Sequence, residues 1–371
     1  MSLYKSDPSI YIITNSLNIG GAEKQSIMLA NCLKEHYPTY LVVYYGDQVD
    51  PRYNKMVDEY HIHTIWLAGS HLRKMFYLYN LFRKNRSSFI FSYLATANII
   101  NAIIGGLAGV KYRYGGIRSS QIYGWKLNLQ KFLHNHLLTG SIFNNYEGQK
   151  YLCKLGFKEK KSIVIHNCIQ VSSSVERRDT NLNSEIVILS VGRFTPEKDY
   201  NTALKAFRLM IDSMLDKNNT NVVKYKLIGY GSLLEDIEKI VEELHLKNEV
   251  EILINPKNIS NYFTQADIYL STSIQEGLSN SIMEAMSFGL PVIATNVGDN
   301  RYLVVEGETG YLVPIRDADA ISDKLIYLIN NPDRLKEFGI KGYQHIRNNF
   351  STEIFSQRYI SLINSLTNGK A

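Results

Sequence analysis

The chain of 371 residues is 45% hydrophobic and 20% charged, with a mean hydropathy of −0.17. That is the balance of a folded globular protein, long enough for two domains with a core each. Its three cysteines, Cys32, Cys153 and Cys168, form no CxxC pair and read as reduced, packed thiols rather than a disulfide or zinc framework.

Residues 1–8 are polar and the first apolar run is only 10–13, so no signal peptide is read. Strands are predicted at 10–13, 39–45, 88–93, 111–117 and 141–144, with helices at 22–35, 97–107 and 147–155. The longest apolar stretch, 98–110, falls short of the roughly 20 residues a bilayer requires. It is predicted to be a buried helix. The pattern restarts after a polar linker at 172–184, with strands at 186–191, 225–228, 250–253, 268–271, 292–295 and 311–313. Helices are predicted between them at 200–214, 233–244 and 259–266, and in the tail at 318–329, 334–345 and 352–366. Alternating strands and helices imply parallel sheets, and the restart implies two of them. The expected architecture is α/β, with Rossmann-like doubly wound domains at 1–180 and 181–350. Ligands of such sheets bind at the carboxyl ends of the strands, so a cleft between the domains is the expected site.

The net charge of +6 is uneven: residues 1–180 hold 22 Lys and Arg against 11 Asp and Glu, while residues 181–371 hold 19 against 24. Part of the basic excess falls on a predicted helix at 71–86. Leu72, Met75, Phe76, Tyr79 and Phe82 share one face at helical spacing, flanked by Arg73, Lys74, Arg83, Lys84 and Arg86. Two readings stay open here: a core helix with solvated charges, or a helix lying on an anionic membrane surface. Nucleic acid is not expected, because the aromatics share the predicted buried face and are not free to stack on bases.

Three segments carry chemistry. Asn18-Ile-Gly-Gly-Ala-Glu-Lys24 follows the first strand and opens a helix, placing the N–H groups of Gly20 and Gly21 at a helix N-terminus. It is neither a dinucleotide fingerprint nor a P-loop. Val191-Gly-Arg-Phe-Thr-Pro-Glu-Lys-Asp199 follows a strand directly; Gly192 permits a close turn, and Arg193 and Lys198 set a forked donor and a point charge at the sheet edge, as a diphosphate requires. Glu276-Gly-Leu-Ser-Asn-Ser-Ile-Met-Glu284 brackets a helix start with two carboxylates. Ser279, Asn280 and Ser281 are N-cap types, so helix N–H groups and dipole face the corner that displays Glu276. Carboxylates for sugar hydroxyls beside donors for phosphate suit a nucleotide-sugar. Asp317-Ala-Asp319 is read as a helix N-cap, and no metal site is expected.

Gly20-Gly21-Ala22-Glu23, Val191 to Lys198, Glu276 to Glu284 and Glu306-Gly-Glu-Thr-Gly-Tyr-Leu-Val-Pro314 together resemble glycosyltransferase family 4, retaining sugar transferases of GT-B fold. The resemblance covers nearly the whole chain. It implies that Arg193 and Lys198 neutralise the donor diphosphate, that Glu276 sits at the donor sugar and that Glu284 holds the ribose. Leu278, Ser279, Asn280 and Ser281 would offer backbone contacts to phosphate. Leu253, Asn255 and the Gly229-Tyr-Gly231 turn would border the base, and Gly20 and Gly21 would meet the donor from the other domain. The terminal helix, 351–371, is expected to pack back on the first domain. Where many family members carry a catalytic-site histidine, this chain has Arg118-Ser-Ser120. With Ser92-Tyr-Leu-Ala-Thr-Ala-Asn98, that resembles the capsule and O-antigen branch and makes Arg118 an acceptor-side candidate.

The reading is a metal-independent hexosyl- or N-acetylhexosaminyltransferase, without cofactor, in the cytoplasm or peripheral at the inner membrane face. Its expected partners are a nucleoside-diphosphate sugar and a glycan or lipid-linked oligosaccharide acceptor. A GT-B sugar-nucleotide epimerase and a non-catalytic nucleotide-sugar-binding partner are the rivals. A dehydrogenase lacks its fingerprint here.

Overall fold

The computed structural model describes residues 8–18, 20–84, 88–118, 122–172, 185–216 and 222–368. The chain divides into two units, Met1–Cys168 with Thr352–Ala371, and Ile169–Ser351. The first division falls ahead of residue 180 for a local reason. Ile169 donates its N–H to the Phe350 carbonyl (2.9 Å) and bridges Ser351, and Tyr343 Oη donates to the Ser172 carbonyl (2.6 Å).

In the first unit, β1 (Ile10–Thr14), β2 (Thr39–Val43), β3 (Thr64–Trp66), β4 (Phe89–Tyr93), β5 (Tyr112–Ile117), β6 (Gly140–Phe143) and β7 (Ser162–Val164) form one sheet in the order β3-β2-β1-β4-β5-β6-β7. Every pairing is parallel. The connecting helices are α1 (Gly21–Leu33), α2 (Pro51–Glu59), α3 (His71–Lys84), α4 (Ala95–Ile100), α5 (Gly124–Phe132) and α6 (Tyr146–Lys154). The pleat sends alternate residues to opposite faces. Ile10, Ile12, Leu41 and Val43 pack with α1 and α2, whereas Tyr11, Ile13, Val42 and Tyr44 pack with α3 and α4.

The helix predicted at 97–107 is present as α4 continuing to residue 107, with a π-turn, Asn101–Gly105, inside it, whereas the face predicted for α3 is corrected. Asn101 is fully buried and spends its amide on Ser92 Oγ (3.0 Å) and the Tyr114 carbonyl (3.0 Å), which draws the helix toward β4 and β5. In α3 the predicted stripe is rotated. Lys74, Leu78 and Phe82 face inward, while Leu72 is 81% and Phe76 68% exposed. Lys74 can be buried because its ammonium donates to the Tyr44 carbonyl (2.7 Å) and lies 4.9 Å from the Tyr44 ring centroid. Arg86 lies outside the described residues.

In the second unit, β8 (Ile186–Arg193), β9 (Val223–Tyr230), β10 (Val250–Ile254), β11 (Ile268–Ser271), β12 (Val292–Thr295) and β13 (Gly310–Val313) form a parallel sheet in the order β10-β9-β8-β11-β12-β13. Its helices are α7 (Tyr200–Asp216), α8 (Leu234–Glu243), α9 (Ser260–Gln265), α10 (Asn280–Ser287), α11 (Asn300–Leu303), α12 (Ala318–Asn330) and α13 (Pro332–Phe350). One core joins Ile188, Leu227 and Ile293 to α7 and α12; the other joins Leu189, Ile228 and Ala294 to α10. The terminal helix α14 (Thr352–Asn368) belongs to the first unit, where Phe355, Tyr359 and Ile363 enter the core beside α1.

Candidate active site in the second unit

The strand order of the second sheet reverses between β8 and β11, since β9 and β10 lie on one side and β12 and β13 on the other. At such a reversal the loops leaving two neighbouring strands diverge and open a crevice at the carboxyl edge. Here those loops are stapled together. Thr272 Oγ1 donates to the carbonyls of Lys198 (2.9 Å) and Asp199 (3.0 Å), and the Ile274 N–H donates to the Glu197 carbonyl (2.9 Å). The 3-10 turn Pro196–Lys198 is thereby fixed. Asp199 at φ 47° ends it, and its carboxylate accepts from Thr202 Oγ1 (2.7 Å) to start α7.

The staple sets the Lys198 ammonium on the carboxylate of Glu276. Glu276 Oε1 also accepts from Ser273 Oγ (2.9 Å), and the two charged side chains are only 19% and 14% exposed. Arg193, at the last position of β8, lies 3.3 Å from Glu197 and is 63% exposed. The two cations thus differ: one is held inside the crevice, the other stands exposed at its rim, paired with Glu197.

The Glu276 loop is supported from below. Gly298 has φ +53°, and a Cβ there would lie 2.3 Å from the Glu276 carbonyl oxygen and 2.6 Å from that of Gly277. The Asp299 N–H donates to the Gly277 carbonyl (2.8 Å). Leu278 is buried, and Ser279 caps α10 by accepting from the Ile282 N–H (3.4 Å) and pairing with Ser281 Oγ (3.2 Å). Asn280 is exposed at the first helical position, and Glu284 is half-buried one turn further. Tyr269 ties this helix start to β8: its phenol donates to the Val191 carbonyl (3.1 Å) and is hydrogen-bonded to Ser281. Burial raises its pKa well above the ordinary value, so it acts as a neutral strut.

On the other side of β8 the glycines allow strand ends to close up. A Cβ on Gly229 would fall 1.9 Å from the Gly192 carbonyl oxygen, and one on Gly231, at φ +152°, 2.4 Å from that of Phe194. Leu253 is half-buried near the end of β10, and Asn255 is exposed with its N–H toward the Gly229 carbonyl (3.3 Å). Gly192, Gly229, Gly231, Leu253 and Asn255 therefore gather at the carboxyl ends of three adjacent strands, next to Arg193 and Lys198.

In the first unit Gly20 and Gly21 stand at the start of α1, with Gly20 extended at φ −177°. The Glu23 carboxylate folds back over Gly20, and burial raises its pKa. Arg118 follows β5; its guanidinium lies 4.2 Å from the Tyr93 ring centroid and donates to Asn167 Oδ1 (3.2 Å). Ser119 and Ser120 lie outside the described residues. Asn98, in the Ser92–Asn98 segment, works inside the fold: it accepts from the Gly116 N–H (3.1 Å) and Ser92 Oγ (2.8 Å), and donates to Gln130 Oε1 (3.0 Å). Asp317 caps α12 through the Ala320 N–H (2.9 Å).

Sequence reasoning missed Thr272, Ser273, Tyr269 and Gly298. A Ser-Thr-Ser run beginning at the last residue of β11 was the available signal for the first two.

Residues 173–345 match the family model described as glycosyl transferases group 1. The trehalose synthase of Pyrococcus horikoshii is 30% identical over 52% of this chain and 46% of its own length. The Campylobacter jejuni GalNAc-alpha-(1->4)-GalNAc-alpha-(1->3)-diNAcBac-PP-undecaprenol alpha-1,4-N-acetyl-D-galactosaminyltransferase is 24% identical over 97% of this chain and 99% of its own. The chain spans about half the length of several curated relatives that it matches, from 40% to 58%. Among solved structures, Anabaena HepE in complex with UDP and glucose superposes with a TM-score of 0.79 at 17% identity, over 96% of this chain and 100% of that one. Two parallel-sheet Rossmann-like units with GT-B structural neighbours, and a group 1 glycosyl transferase pattern across the second unit, place the crevice at Lys198 and Glu276 inside the matched segment.

Proposed function

We propose that this protein is a retaining glycosyltransferase that moves a sugar from a nucleoside-diphosphate sugar to a hydroxyl of a growing, lipid-linked surface glycan. The observation that carries the reading is the Lys198–Glu276 pair, fixed at the strand-order reversal beside the capped start of α10. As the bond from the sugar to the diphosphate breaks, negative charge grows on the phosphate oxygens. Lys198, Arg193 and the N–H groups near Ser281 are preorganised to receive it. Glu276, released from Lys198 as phosphate arrives, turns its acceptor oxygens to the sugar hydroxyls; Glu284 holds the ribose, and Leu253, Asn255 and the 229–231 turn border the base. The acceptor oxygen attacks on the face the diphosphate leaves, and the departing phosphate oxygen takes its proton. No side-chain base is then required.

Protein cations fill the electrostatic role of a divalent metal, so transfer is proposed to be metal-independent and to survive EDTA. Loss of activity in EDTA with recovery on adding Mg²⁺ or Mn²⁺ would contradict that. Support for a glycan acceptor comes from the Campylobacter relative, whose name specifies an undecaprenol-linked oligosaccharide. Among the described residues no helix is long and apolar enough to cross a membrane; cytoplasmic location at the inner membrane face is part of the proposal. Product analysis with and without a lipid-linked oligosaccharide tests the reading. Transfer requires acceptor and conserves the sugar's anomeric configuration, whereas an epimerised free sugar formed without acceptor would identify the rival chemistry.

A further inference from the structure

At the β3 edge of the first sheet, the loop after β2 and the start of α2 form an open cavity of about 470 Å³. It is lined by Gly46, Asp47, Val49, Pro51, Asn54 and Trp66. Gly46 brings the loop close to the strand. Its N–H donates to the Leu67 carbonyl (3.3 Å), and a Cβ there would lie 3.1 Å from that oxygen and 3.2 Å from the Trp66 Cβ. Trp66, the last residue of β3, is 39% exposed.

The same loop is joined to the one that carries Gly20 and Gly21. Leu17 donates its N–H to the Gln48 carbonyl (3.0 Å) and accepts the Asp50 N–H (2.8 Å). Tyr53 Oη, on α2, donates to the Gly20 carbonyl (2.7 Å). The cavity therefore belongs to the same carboxyl edge as the glycine turn.

Its lining selects a class of ligand. Among the described residues no Lys or Arg lines it, and the neighbouring Arg52 is paired with Asp50 (2.9 Å). Asp47 and the Trp66 indole N–H have no hydrogen-bond partner among the described residues. Asn54 Nδ2 donates to Asp58 Oδ2 (3.3 Å), which leaves its amide oxygen open. A carboxylate with no cation beside it repels phosphates and other anions. The indole, with Val49 and Pro51, offers an apolar platform, while the carboxylate and amide oxygens accept from hydroxyls. A few polar groups set among apolar ones is how small-molecule pockets fix orientation. A pyranose, neutral, with one apolar ring face and a rim of hydroxyls, meets each of these demands.

We propose that this cavity is a sugar-binding subsite for the glycan acceptor. Trp66 stacks on the ring, and Asp47 and Asn54 Oδ1 accept from its hydroxyls. The sugar class rests on the cavity; its assignment to the acceptor rests on the transferase reading.

Trp66 and Trp125 are the only tryptophans of the chain, so Trp125→Phe leaves Trp66 as the sole indole reporter. Its emission is titrated with maltotriose, triacetylchitotriose and galactotriose, and with inorganic pyrophosphate and spermine as controls. A saturable change with at least one sugar, at millimolar Kd, is expected, and none with pyrophosphate. Asp47→Ala should weaken that binding at least about tenfold. Saturation-transfer NMR, which needs no indole, should show a similar loss in Trp66→Ala, with both variants melting near the parent. No saturable response to any of the three sugars overturns the proposal. So does parental affinity in both variants, or a response to spermine as strong as to the sugars. Donor hydrolysis by the parent reports on the proposed reaction separately. A protein that hydrolyses a nucleotide-sugar but shows no sugar response overturns the subsite alone, whereas sugar binding without donor hydrolysis contradicts the transferase reading.

Discussion

The Lys198 ammonium rests on the Glu276 carboxylate, 78 positions along the chain, across the point where the second sheet reverses its strand order. The sequence assigns these residues to different tasks, phosphate and sugar. The structure joins them, and each holds the other in a crevice of low exposure.

Lys198→Met and Glu276→Gln each leave an unpaired charge in that crevice, with an expected stability cost on the order of 3 kcal/mol. The double variant should lose less than the sum, because both changes remove one interaction. Transfer should fall at least about 10²-fold in either single variant. A double-mutant cycle in urea, run beside kcat/KM, measures both; additive stability losses would show that the pair does not couple.

Gly298 sets the height of the Glu276 loop. In Gly298→Ala the new methyl meets two backbone carbonyls at a left-handed φ, and neither can yield as a side chain could. A loss of about 1–3 kcal/mol is expected, with kcat falling more than the thermal midpoint alone explains. Parental kcat in a folded Gly298→Ala protein would dissociate this glycine from the site.

His134 gives the first unit a pH dependence. It is fully buried, with Nε2 at the Lys158 carbonyl (3.0 Å) and Nδ1 at Ser141 Oγ (2.8 Å). A carbonyl only accepts, so Nε2 carries the proton and Nδ1 accepts from the hydroxyl. Burial, with Lys161 and Lys158 nearby, lowers its pKa below 6.5. Between that lowered value and 6.5 the unfolded chain binds more protons than the folded one, so stability is full above 6.5 and declines as pH falls through this window. Urea midpoints at about pH 5.5 and 7.5 should differ more for the parent than for His134→Gln. Equal differences would assign the dependence elsewhere.

The doubly wound alternation was legible because each central strand is a short apolar run with a helix period behind it. The edge strands β3 and β7 were not legible. They are three residues each, and one neighbour suffices to hold them in place, so they carry no strong pattern. The rotation of α3 was hidden for a different reason. A lysine normally marks the solvated side of a helix, yet Lys74 is buried because a carbonyl and two tyrosine rings from the loop after β2 surround its ammonium. The site motifs were readable because a cation, a cap or a glycine sits within a few residues of a strand end. The Lys198–Glu276 partnership was not, since it depends on which strands become neighbours, and only the sheet order supplies that.

The central claim is that a nucleoside-diphosphate sugar is bound and activated at the carboxyl edge of the second unit. Release of free nucleoside diphosphate from a panel of uridine, guanosine, adenosine and cytidine diphosphate sugars, without acceptor, tests it most directly. The parent should slowly hydrolyse at least one donor, and Lys198→Ala and Arg193→Ala should each reduce that release at least about 10²-fold. Release by Lys198→Ala at the parental rate, or a parent that hydrolyses none of the panel, would contradict the account.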